Sequence, residues 1–159
     1  MNNKDEIDEY WNRFIITLPV NRRDQTYLEA SSWGNSPELA DEIASLIRSG
    51  IKTATSSLLW SQQIKQWATE KPGDKSIVLD SKSHPVCIVE YEQVFIRPFN
   101  QVDPDFVYHY GEGERTMQFW NINMWEYYRD ECIALGKEAE KDMPVICQIF
   151  KVIYNFSFG

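Results

Sequence analysis

Apolar side chains recur along this chain with two different periods, and the alternation between them sets out the elements. In DEIDEYWNRFI the residues Ile7, Tyr10, Trp11 and Phe14 fall three and four apart, which puts them on one face of an amphipathic helix, and Pro19 follows as a stop. A second helix is bounded at both ends. Ser36 stands as N-cap and Pro37 at the first helical position, Leu39, Ile43, Leu46 and Ile47 share a face, and Gly50 closes the helix. A short extended piece, Tyr27 to Trp33, precedes it. SSLLWSQQIKQW reads as a further helix with Leu58, Trp60, Ile64 and Trp67 as its apolar positions, ended by the turn KPGD.

Beyond that turn the period shortens to two. KSIVLD and PVCIVEYEQVFIRPF are β-branched and aromatic runs separated by SKSH, so they are expected to pair as antiparallel neighbours. Asp103 and Pro104 open a short helix. Gly111 and Gly113 then bracket Glu112 in a tight turn. A long helix is predicted from about Thr116 to Leu135, carrying Met117, Trp120, Met124, Tyr127 and Tyr128, with Gly136 at its end. The tail PVICQIFKVIYNFSF alternates as a strand. Helices and strands mixed without a βαβ rhythm predict an α+β fold with a largely antiparallel, curled sheet.

Composition narrows the function classes. The chain has 159 residues with six Trp, eight Tyr and eight Phe, enough to close one core, and shows no linker or repeat. A single domain over 1–159 is expected, its first 20 residues forming a helical extension. Cys87, Cys132 and Cys147 lack CxxC spacing and read as reduced core residues. The start MNNKDEIDEY is acidic and no apolar run is long enough to span a bilayer, so a cytoplasmic protein without membrane contact is expected. The formal charge is −8 and the basic residues are scattered, which argues against a DNA duplex or a long RNA as partner. A nucleoside or short RNA-type ligand needs only local cations. The sequence says nothing of oligomeric state.

Two stretches carry candidate chemistry. GIKTATSS, residues 50–57, places Lys52 among Thr53, Thr55, Ser56 and Ser57; GEGER, residues 111–115, supplies Glu112, Glu114 and Arg115. Either stretch has a plain reading, a helix end followed by an exposed strand in the first and a solvated turn in the second. Together they supply a cation, hydroxyls and carboxylates, the set from which a desolvated lysine can activate a hydroxyl while a carboxylate moves protons. In a straight strand Lys52 and Thr55 would point to opposite faces, so their cooperation demands a break between them. His84 and His109 have no ligand spacing to each other or to a cysteine, and GxxxxGK[ST], GxGxxG and GxSxG are all missing. Neither metal nor cofactor is expected. Among the tryptophans Trp33 is the best candidate for an exposed stacking surface, the helical ones reading as core.

WGNSPELADEIASLIRSGIKTATSSLLW, PGDKSIVLD, PVCIVEYEQV, GEGER with its aromatic helix, and DMPVICQIFKVIY, in this order, resemble the bacterial ASCH-domain (ASC-1 homology) proteins of PUA-like fold over roughly residues 27 to 154. The resemblance implies a small curled β-barrel flanked by helices, with a cleft at its mouth and a link to RNA or nucleotide metabolism. Relatives include amidohydrolases that deacetylate N-acetylated cytidine, in which a GxKxxT lysine and threonine act with a downstream glutamate. Carried over, these are Lys52, Thr55 and Glu114, or alternatively Glu112: the threonine attacks the acetyl carbonyl, the lysine takes its proton or stabilises the oxyanion, and the glutamate serves the leaving amine. Trp33, Ser56, Glu112 and Arg115 are expected to contact the ligand. Where many relatives carry a histidine after GEGxR, this chain has Met124. The family also allows a non-catalytic RNA- or nucleotide-binding module, or a metal-assisted ribonuclease using Glu112 and Glu114.

Overall fold

A computed structural model describes residues 3–156. Its centre is a five-stranded mixed sheet made, among the described residues, of β1 (Glu29–Ser32), β2 (Ala54–Leu58), β3 (Lys75–Leu79), β4 (Pro85–Pro98) and β5 (Pro144–Tyr154) in the order β1-β3-β4-β5-β2. Among the described residues only the β1–β3 pairing is parallel; β3 and β4 form the expected hairpin. The fold is α+β, a curled half-barrel. Register shifts along the long β4–β5 ladder, between Ile88 and Val89 and between Tyr91 and Gln93, are bulges that bend it. The last residues of the expected tail strand, 157 and 158, lie outside the described residues.

The helices follow their sequence signals closely. Helix α1 (Asn3–Ile15) buries Ile7, Tyr10, Trp11 and Phe14. Helix α2 (Pro37–Arg48) starts where the Ser36 hydroxyl accepts from Leu39 N. Helix α4 (Pro104–Tyr110) is capped by the Asp103 carboxylate, which accepts from Phe106 N, and ends at Gly111.

Two helical expectations are corrected. Helix α3 (Leu59–Lys65) is shorter than predicted: Leu58 belongs to β2, Gln66 adopts a left-handed conformation that ends the helix, and Ile64 and Trp67 are 50% and 38% exposed. The long helix after GEGER is not uniform. It runs as one turn, α5 (Met117–Phe119), then a π-helical turn over Trp120–Met124, then α6 (Trp125–Ala134). The wide turn keeps Trp120, Met124, Tyr128 and Cys132, each four residues from the last, all buried on one side, whereas a regular α-helix would rotate every fourth residue steadily away from the core.

Apolar packing divides by sheet face. Ile77 and Ile88 are cross-strand partners in a cluster with α1, while the next pair, Val78 and Cys87, packs on the other face with Ile43, Ala44 and Ile47 of α2. A third cluster joins Phe99, Phe106 and Tyr110 to the face of the last helical run. All three cysteines are buried and unbridged, as expected. Among the described residues no helix is long and apolar enough to cross a membrane.

Candidate functional site

Edge strands β1 and β2 stand at opposite ends of the sheet order, yet Glu29 from one and Thr55 from the other line the same cavity of about 840 Å³. The curl brings them round on the α2 side of the sheet, and Leu39 and Ile43 complete that wall. Helix α1 packs against the opposite face and contributes nothing to the lining. The volume is in the range of small-molecule binding sites.

Lys52 lies in the cavity wall and is 1% exposed. The chain reaches it from α2 through Gly50 and enters β2 only at Ala54, so Lys52 stands before the strand. The break demanded by the sequence is therefore present, and Lys52 and Thr55 both line the cavity. The Lys52 ammonium donates to Tyr110 O at 3.1 Å, a carbonyl left free by the end of α4, and pairs with Glu112 Oε2 at 2.8 Å. It also sits 3.4 Å from the centre of the Tyr110 ring. Burial pushes its pKa down to about 8, against the opposing pull of Glu112. Among the described residues it makes no hydrogen bond with Thr55.

Backbone contacts fix this pairing. Thr53 N donates to His109 O at 2.7 Å and Arg115 Nη2 reaches Ile51 O at 3.5 Å, so residues 51–53 are stitched to the end of α4 and the loop after it. Gly111, at φ +73°, is where the two segments touch: a Cβ there would stand 2.5 Å from Ile51 O and 2.6 Å from Lys52 Cα. At Gly113, φ +61°, a Cβ would strike the Phe119 ring at 2.3 Å. These two positions need glycine, and between them Glu112 is turned inward to Lys52.

The other expected residues are placed as follows. Trp33 lines the cavity, its ring edge-on to Phe150 at 5.5 Å. Ser56 also lines it, with its hydroxyl bonded to Tyr128 Oη at 2.6 Å. Glu114 and Arg115 do not. Glu114 is exposed and outside the lining, because the left-handed turns around it leave only Glu112 facing inward; the carboxylate beside Lys52 is the alternative one. Arg115, itself at φ +62°, donates from Nε to Tyr108 O at 2.9 Å and lies over the Tyr108 ring, so it braces the loop from outside the cavity.

Sequence reading missed several lining residues. Trp67, read as helical core, follows the end of α3 and borders the cavity. Asn123 and Met124 both reach it from the π-helical turn. Glu70 and Gln148 sit together in its wall, Gln148 Nε2 donating to the Glu70 carboxylate. Burial raises the Glu70 pKa, with the Glu29 charge adding to the effect. No pattern in WATEKPG or VICQIF marks either residue.

Comparison with known proteins adds a family and two structures. The family model described as ASCH domain matches residues 29–154. The chain is similar to an ASCH domain from Lactobacillus crispatus, with 26% identity, a TM-score of 0.90 and coverage of 95% of this chain and 96% of that one. It is likewise similar to a protein of Enterococcus faecalis assigned to family DUF984, with 26% identity, a TM-score of 0.86 and coverage of 95% and 90%. No curated protein matches it.

Proposed function

The chain belongs to the ASCH domain family, and from that premise, taken with the chemistry of its cavity, we propose that it binds a nucleoside and hydrolyses an acyl group from its exocyclic nitrogen. The observation that carries this reading is Lys52, a lysine buried in a ligand-sized cavity, with its pKa pushed down to about 8 and one carboxylate against it. A lysine so placed reaches its neutral, proton-accepting form near physiological pH.

The steps follow from the residues. Thr55 Oγ1 attacks the acyl carbon, and its proton passes by way of bound water or the ligand to neutral Lys52. The proton crosses the 2.8 Å contact to Glu112 and is delivered to the leaving nitrogen as the C–N bond breaks. Water then hydrolyses the threonine ester, releasing the carboxylic acid and restoring the hydroxyl. Trp33, Trp67, Phe119 and Tyr127 supply flat apolar surface for the base. The carboxylates of Glu29, Glu42, Glu70 and Glu112 around a single lysine favour a ligand without phosphate.

Incubation with N-acetylated cytidine, followed by the ultraviolet change as the amide is lost, tests the proposal. Turnover by the natural chain and at least about a hundredfold less by Lys52→Ala and by Thr55→Val is expected. Turnover unchanged in Thr55→Val, a variant that keeps the side-chain shape, would exclude the threonine mechanism. Binding without turnover would favour a ligand-binding module, the reading that the aromatic lining supports by itself.

A further inference from the structure

One polar group in the cavity has no part in the chemistry assigned to Lys52, Thr55 and Glu112. Gln148 on β5 is 4% exposed, lines the cavity, and donates from Nε2 to the Glu70 carboxylate. In this contact Gln148 Nε2 is the donor and the Glu70 carboxylate the acceptor, so Glu70 fixes which way the amide points: nitrogen toward Glu70, oxygen away from it. Every fully buried side-chain polar atom among the described residues has a partner, and Oε1 of Gln148 has none among them, so that oxygen opens on the cavity. It is a fixed acceptor in a wall that also carries Trp33, Trp67 and Tyr91, and its natural partner is a donor on the ligand.

Its position identifies which donor. Gln148 is the direct cross-strand partner of Thr55 in the antiparallel β2–β5 pair, which places their Cβ atoms about 5 Å apart on one face of the sheet. An acyl carbon held for attack by Thr55 therefore has its substituent nitrogen within reach of the amide oxygen. We propose that Gln148, oriented by Glu70, is a specificity-determining residue that accepts a hydrogen bond from the N–H of the ligand's exocyclic nitrogen. The inference rests on the nucleoside reading above and names the part of the nucleoside that is recognised. A base with an amino group at that place satisfies the acceptor; one with a carbonyl oxygen sets two acceptors against each other.

Cytidine and uridine differ in that group, so their dissociation constants, measured by titration calorimetry, are the test. The natural chain is expected to bind cytidine at least about tenfold more tightly. Gln148→Met, which keeps the length of the side chain without its amide, is expected to bring the two within about twofold. Glu70→Met frees the amide to turn over and is expected to reduce the ratio while leaving β5 intact, which guards against a Gln148 variant that fails to fold. Equal affinity in the natural chain, an unchanged ratio in both variants, or binding of neither nucleoside overturns the inference. Turnover of N-acetylated cytidine with equal affinity for the two nucleosides sinks this inference and leaves the proposed reaction standing; discrimination without turnover does the reverse.

Discussion

An ammonium group that is almost wholly removed from water, and that touches one carboxylate and one aromatic ring, is poised between two charge states. Burial favours neutral Lys52 and Glu112 favours the charged form. If the neutral amine takes the Thr55 proton, kcat/KM is expected to climb about tenfold per pH unit below 8 and to level off above it. Glu112→Gln removes the charge that holds the pKa up, so the rising limb in this variant is expected at lower pH, on top of any loss of rate. A limb that stays in place or moves to higher pH would contradict the assignment. Linkage has its own sign here: the folded pKa lies below the unfolded value of 10.5, so the cost of burying the ammonium is present below pH 8 and is relieved as pH rises from 8 toward 10.5. Lys52 and Thr55 were legible because a lone cation among hydroxyls suits neither a plain strand nor a plain loop. Glu114 was preferred to Glu112 on the family pattern, and residue type could not correct that choice, since both are acids beside Gly113 and only the backbone decides which one faces inward. Gln148 was hidden in an ordinary alternating strand, where its partner Glu70 comes from 78 residues away.

At the scale of elements, the site is a contact between a strand entrance and a helix exit, backbone against backbone. Gly111→Ala tests that description. The new methyl meets Ile51 O and Lys52 Cα, neither of which is a flexible side-chain end, at a φ that disfavours alanine. A loss of about 1–3 kcal/mol in stability is expected from the backbone conformation alone, before the steric clash is added. Thermal unfolding should report this as a lower Tm, and the separation of α4 from Lys52 should lower activity further than the stability loss explains. An unchanged Tm would mean that the two segments are not held in contact. Helix starts were readable at Ser36 and Asp103 because capping is local chemistry. The π-helical turn was not readable: the spacing of Trp120, Met124 and Tyr128 signals a helix, but its widening depends on a core assembled from distant strands. The early end of α3 escaped for a similar reason, since Gln66 in a left-handed cap carries no glycine to announce it.

The whole molecule carries a net charge of −8, and the cavity repeats that bias locally, with Glu29, Glu42, Glu70 and Glu112 around one lysine. A phosphate backbone has no basic track to follow into such a site. Fluorescence anisotropy with a labelled single-stranded RNA oligonucleotide is accordingly expected to show no binding at low or physiological salt. Tight binding that weakens steeply with salt would point to a basic surface elsewhere and return weight to an RNA-binding role. The α+β class and the curled, mostly antiparallel sheet were legible because strand and helix periods are distinct. That α1 would settle on the face away from the cavity was not, because its amphipathic pattern specifies an apolar neighbour without saying which one. Its position there gives the two sides of the sheet separate constraints. Inward-facing and outward-facing residues alternate along the same strands, so substitutions at Thr55, Tyr91 or Gln148 can alter what the cavity admits while Ile77 and Ile88 keep their contacts with α1. The sheet is divided in this way into a face that packs on α2 and lines the cavity and a face that packs on α1, so a change in the lining can be made without touching the contacts beneath α1.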